Sequence, residues 1–199
     1  MTELVPDQRN RFAVIVGRVL HPYFLPIPTV FAILDGLPFL QALGWATIVL
    51  AIILLPGMTC AAYLEHRGHL LYERRTRGPL YLVGWISVLV CLAVVIEFQA
   101  PLALIASVVT LAVWVPLQLA INTWVTKIST HAAVAAGCFT GLVVLGKAGP
   151  PLVEAALLAL VVITLWARVV TRNHTVSQVI YGALLGAALV LVIFPLVLA

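Results

Sequence analysis

Apolar runs of about 18 residues or more follow one another along nearly the whole chain, and a run of that length with few charges reads as a helix that crosses a bilayer. The runs lie at about residues 13–34, 39–63, 80–97, 102–122, 129–146, 150–170 and 176–198. Short breaks separate them: Asp35-Gly36-Leu37-Pro38, the charged stretch from Glu65 to Pro79, Glu97 to Pro101, Asn122 to Lys127, Lys147 to Pro151 and Arg168 to His174. A water-soluble domain needs roughly a quarter of its residues charged to cover its surface. Here 9% of 199 residues are charged and 63% are hydrophobic, which excludes that class. The expected fold is an all-α integral membrane bundle of about six to seven transmembrane helices, with residues 1–199 forming one domain. The polar segments are too short to build a second core.

The run after Arg11 exceeds the length of a signal-peptide core, contains Pro22, Pro26 and Pro28, and is not followed by a small-x-small site. It is read as a span and not as a secretory signal. Arg18 and the prolines predict a kinked helix or a half-buried entry segment with Arg18 snorkelling. Cys60, Cys91 and Cys138 each sit within an apolar run, outside any CxxC pair, and are expected to act as small hydrophobes. Ala133, Gly137 and Gly141 recur every four residues, as do Gly182 and Gly186. Small residues at that spacing let helix backbones approach closely in lipid, so the helices carrying them are expected to pack tightly.

Seven spans place successive loops on alternating faces. One face then holds Arg9, Arg11, Arg18, Arg67, Arg74, Arg75, Arg77, Lys127, Arg168 and Arg172, against Glu3, Asp7, Glu65 and Glu73. The other holds Lys147 with Asp35, Glu97 and Glu154. Ten of the eleven basic residues on one side predict that this side is cytoplasmic.

The same face collects three polar clusters: Glu73-Arg74-Arg75-Thr76-Arg77, Lys127-Ile128-Ser129-Thr130-His131, and the stretch from Arg168 through His174 to Gln178. Arginine forks fit phosphate oxygens, and Ser129 at a helix start adds unpaired backbone N–H groups for an anion. Two histidines can act as nucleophile and proton donor near neutral pH. No carboxylate cluster or Cys/His ligand set is present; His66 and His69 share one helical turn without further ligands. The chemistry expected is therefore metal-independent and needs no cofactor.

The spacing Ser129-x-His131 followed by Arg168-x5-His174-x3-Gln178 resembles the type 2 phosphatidic acid phosphatase superfamily. Its second motif is typically Pro-Ser-Gly-His and its third Ser-Arg-x5-His-x3-Asp. The run from His174 to Val179 looks like the dolichyl and polyprenyl diphosphate phosphatase branch. The resemblance spans about residues 73–186. It implies that His174 attacks phosphorus to form a phosphohistidine and that His131 protonates the leaving oxygen. It further implies that Arg168, Ser129, Thr130, Lys127 and arginines among Arg74, Arg75 and Arg77 hold the phosphate.

The chain departs from that pattern at several positions. Arg77-Gly78-Pro79 only approximates the end of the first motif, Lys-x6-Arg-Pro, and no lysine precedes it. Thr130 stands in place of glycine, Ala167 in place of serine, and Gln178 in place of the aspartate that orients the nucleophile. An amide oxygen still accepts the Nδ1–H bond, without the charge, which predicts a slower nucleophile. Thr175 to Gln178 also fits a capping box, a second use for the same side chain, which its oxygen and nitrogen could divide. Ser129 equally fits a plain helix cap. His21 reads as an interfacial histidine, and Glu154 as a favourable first-turn acid.

The leading expectation is hydrolysis of a lipid phosphate or a prenyl or polyprenyl (di)phosphate. The alternative is a weak or inactive relative that binds lipid headgroups or serves as a structural subunit of a membrane complex. Expected partners are membrane lipids and that substrate, with no nucleic acid and an oligomer or larger complex left open. The expected location is the cell (plasma) membrane, with the site on its cytoplasmic face.

Overall fold

The computed structural model describes residues 10–68 and 77–199, with Arg77 described by its backbone alone. Its helices in chain order are α1 (Arg11–Val19), α2 (Pro26–Ile33), α3 (Phe39–His66), α4 (Arg77–Glu97), α5 (Leu102–Trp124), α6 (Thr130–Val144), α7 (Pro151–Val170) and α8 (Val176–Leu198). The described residues are thus organised as helices and connecting turns, as the apolar runs predicted. Helices α3, α4, α5, α7 and α8 are long and apolar enough to cross a membrane. Within their 18-residue windows only 11% to 33% of positions are buried inside the protein. Most of their positions therefore keep some exposure despite being apolar, an arrangement that suits lipid and not water. The chain is a multi-helix membrane protein.

The first apolar run is broken, as its prolines suggested. Asn10 caps α1 by accepting the Ala13 N–H at 3.1 Å, and α1 ends at Val19. Pro22 lacks an N–H to carry a helix onward. The chain instead turns on the His21 carbonyl, which accepts the N–H groups of Phe24 and Leu25 at 2.8 and 3.1 Å. Pro26 then opens α2. Ala13 and Val16 of α1 pack with Ala167 of α7, while Ile33 at the far end of α2 packs with Leu142 and Ala148. The broken element thus runs from the start of the bundle's polar end to the opposite end.

Val30 and Leu34 at the end of α2, with α3, α4 and α5, share one apolar core that includes Ala46, Val49, Cys91, Val95 and Leu104. Pro116 inside α5 cannot bond back to Ala112. The Ala112 carbonyl accepts the Trp85 Nε1–H of α4 at 3.0 Å instead, so the gap in one helix becomes a cross-helix bond. At the opposite end Lys147 Nζ donates to the Asp35 carbonyl at 2.8 Å and approaches its carboxylate at 3.3 Å. Span counting along the sequence puts these two loops on the same face.

The closest approach in the fold joins α6 and α8. A Cβ on Gly182 would lie 2.5 Å from the Ser129 carbonyl oxygen, and one on Gly186 would overlap the Ala133 carbonyl. The small-residue spacing is thus realised as backbone-to-backbone contact. Helix α6 is short, 15 residues, closed by Gly146 in the left-handed region at φ 64°.

Gly186→Ala should therefore destabilise the protein by about 1–3 kcal/mol through overpacking against backbone that cannot yield. Gly84→Ala, where nothing lies within 4 Å, should match or slightly exceed the parent because alanine favours helix. Thermal denaturation of the two variants in the same detergent separates these outcomes; equal melting temperatures would remove the close-packing argument.

Candidate functional site

Helices α6 and α8 start side by side, because the Ser129 N–H donates to the Gln178 carbonyl at 3.1 Å. That single bond joins the second and third polar clusters. Helix α7 reaches the same point by folding back on itself. Arg172 takes a left-handed conformation at φ 55°, and the Arg168 carbonyl then accepts the N–H groups of both Asn173 and His174 at 3.2 Å. The five residues between Arg168 and His174 are the length of this reversal. A non-glycine residue held there costs on the order of 1 kcal/mol or more.

His174 lies in that turn. Its Nδ1 sits 3.3 Å from Gln178 Oε1, and the Lys127 backbone also bonds its ring. Burial, then the charges of Lys127 and Arg168, pull this imidazole down to about 4, while the two hydrogen bonds oppose the shift. It is uncharged at neutral pH, the form whose ring nitrogen carries a lone pair.

His131 stands in the first turn of α6. The Gly17 backbone of α1 bonds its ring, and its Nε2 is buried with no hydrogen-bond partner among the described residues, so the Gly17 bond falls on Nδ1. Arg168 from α7 is close enough for its charge to act on His21, His131 and His174 alike. A Cβ on Gly17 would lie 3.3 Å from Arg168 Nη1, which places the guanidinium against α1. Two cations and three imidazoles therefore converge from α1–α2, α6, α7 and the loops that begin α6 and α8.

The remaining expected site residues are distributed differently. Ser129 is fully buried, and its hydroxyl oxygen caps α6 by accepting the Ala132 N–H at 3.3 Å. Thr130 turns away from the cluster: its hydroxyl accepts from Gln118 Nε2 of α5. Gln178 does act in a capping box, and its Oε1 accepts from the Thr175 N–H at 3.2 Å while facing His174. Both uses fall on the oxygen, so the expected division between oxygen and nitrogen does not occur. Arg74 and Arg75 lie outside the described residues, as does the side chain of Arg77. Among the described residues, no three His, Cys, Asp or Glu side chains are grouped to hold a metal.

Two features were not foreseen. His21 is stacked edge-on against His131, with ring centroids 5.1 Å apart and planes at 85°. A buried polar network also supports the start of α6. Asn122 Nδ2 and Gln118 Nε2 donate to the Tyr81 hydroxyl at 2.8 and 3.1 Å, and Asn122 Oδ1 accepts the Ile128 N–H at 2.8 Å. The signal for the network was present as Gln118 and Asn122, one turn apart inside an apolar helix, where polar side chains must find partners. The signal for His21 was weaker, since only the fold brings it to His131.

Comparison with known proteins adds no family: no family model, curated protein or solved structure matches the chain.

The His174 environment has a direct consequence. The unfolded chain takes up this proton near pH 6.5, whereas the folded protein resists it down to about 4. The folded state thus loses stability from His174 as pH falls from about 6.5 to about 4, and His174 leaves stability unaffected above that window. Histidine NMR of the folded protein should show a midpoint near 4 that rises in Lys127→Met; a midpoint at 6.5 in the parent would contradict the burial.

Proposed function

We propose that this protein hydrolyses a phosphate or diphosphate ester of a lipid through a phosphohistidine on His174. The observation that carries the reading is the convergence of His174, His131 and Arg168 from separate elements into one polar cluster at the end of a membrane bundle. In this reading the lone pair of His174 attacks phosphorus, the bond from phosphorus to the lipid oxygen breaks, and His131 Nε2 delivers a proton to that oxygen. The negative charge of a bound phosphate favours loading that proton, since Nδ1 is already committed to Gly17. Water then attacks the phosphohistidine with His131 taking its proton, releasing inorganic phosphate and restoring both rings. Arg168 and Lys127 offset the charge on the phosphate oxygens.

Ser129 and Thr130 support this pocket as structure, one as a cap and one through Gln118, so phosphate contact at α6 is assigned to backbone N–H groups at its start. The resemblance of the third motif to the polyprenyl diphosphate phosphatase branch favours a prenyl or polyprenyl (di)phosphate over phosphatidate. The excess of basic residues on the site's side of the bundle favours the cytoplasmic face of the plasma membrane. Membrane-impermeant labelling of Ser177→Cys tests that orientation, and labelling of intact cells from outside would reverse it.

The opposing reading, a lipid-headgroup binder without turnover, draws on Gln178, which supplies an oxygen and no charge. The deciding experiment is phosphate release by the purified protein in detergent with EDTA present. Substrates are farnesyl diphosphate, a longer polyprenyl diphosphate and phosphatidate. Release that persists in EDTA, acid-labile phosphate on the protein, and loss of both in His174→Ala are the expected results. Silence of the folded parent on all three substrates would favour the binder.

A further inference from the structure

His21 is fixed in a way that an interfacial histidine does not require. Its Nδ1 accepts the Tyr23 N–H at 3.3 Å, so in the neutral ring the proton sits on Nε2 and makes that atom a donor. The Tyr23 ring lies 4.9 Å away and the Phe24 ring 6.2 Å away, which holds the imidazole plane. The edge-on contact with His131 and the reach of the Arg168 charge place it in the same polar cluster. The polar atom nearest in kind to a target there, His131 Nε2, is buried without a partner among the described residues. A metal shared by these imidazoles is disfavoured by the guanidinium beside them, which repels a cation and attracts an anion.

We propose that His21 is a third imidazole of the anion site, donating its Nε2–H to the phosphate held beside His131 and Arg168, and that the broken first span exists in this fold to carry it there. The proposal rests on the phosphate reading of the pocket and adds to it a contact from the N-terminal segment. Proline-induced termination of α1 places the turn just beyond its C-terminal end, within ring contact of His131 in the first turn of α6. An unbroken helix over residues 11–33 would carry residue 21 through the bundle with its backbone fully bonded. It would have no free N–H at Tyr23 to orient the ring.

Two substitutions separate donation from packing. His21→Phe keeps an aromatic ring against His131 and Tyr23 and removes the donor; His21→Gln removes the ring and keeps an N–H at a similar reach. The readout is binding of orthovanadate, a phosphate-like anion, by calorimetry on the full-length protein in detergent, alongside kcat/KM for the best substrate. Loss of a hydrogen bond to a charged group predicts weaker vanadate binding in His21→Phe by on the order of tenfold or more, with substantial recovery in His21→Gln. Unchanged binding in His21→Phe would overturn the proposal while leaving the phosphatase reading intact. Equal loss in both variants would also overturn it, because packing and not donation would then be the role. A folded parent that neither binds vanadate nor releases phosphate would remove the phosphate reading itself, and this proposal with it.

Discussion

The contact between the starts of α6 and α8 is the constraint on which the rest of the site depends. Glycine at 182 and 186 allows the two backbones to touch, and the Ser129 N–H to Gln178 carbonyl bond fixes their register. In lipid there is no hydrophobic force to bring two apolar helices together, so close van der Waals contact and buried hydrogen bonds must supply the attraction. Remove the close approach and His131 and His174 separate, because each belongs to the first turn of, or the loop before, one of these two helices. The same packing that joins the helices therefore also sets the positions of the two imidazoles.

Around this contact the protein uses neutral hydrogen bonds to place groups and charges to attract. Asn122, Gln118 and Tyr81 hold the segment that begins α6 through uncharged partners, which suits a setting where a lone ion would be costly. The cationic groups, Lys127 and Arg168, sit where the polar clusters meet. They act together with burial, the larger cause, to keep His174 uncharged.

Much of the fold was legible because length and hydropathy alone decide where a membrane helix lies. The spans at 39–63, 102–122, 150–170 and 176–198 fall within a few residues of α3, α5, α7 and α8, and the prolines at 22, 26 and 28 marked the break between α1 and α2. Pairing of α6 with α8 was legible from glycine spacing. The site was legible only in part. The Arg168-x5-His174 spacing tied these two residues through a family resemblance, and the structure gives it physical form as the turn after α7, but no local rule could bring His21 from the first span to His131. The orientation of Thr130 was equally illegible, because its hydroxyl accepts from Gln118 on another helix.

Gln178 shows how one side chain can answer two demands that look incompatible. Both of its neighbours, the Thr175 N–H and the His174 Nδ1–H, are donors. The amide nitrogen of glutamine is itself a donor and can serve neither, so the single oxygen must accept both. A carboxylate would offer two oxygens and ease that crowding, but it would also bring a negative charge beside Lys127 and Arg168. That charge would stabilise an imidazolium at His174 and offset part of the positive potential of Lys127 and Arg168. The amide thus forgoes stabilisation of a charged imidazole at His174 and adds no negative charge beside Lys127 and Arg168; under the proposed phosphate reading, that balance suits an anion carrying more than one negative charge.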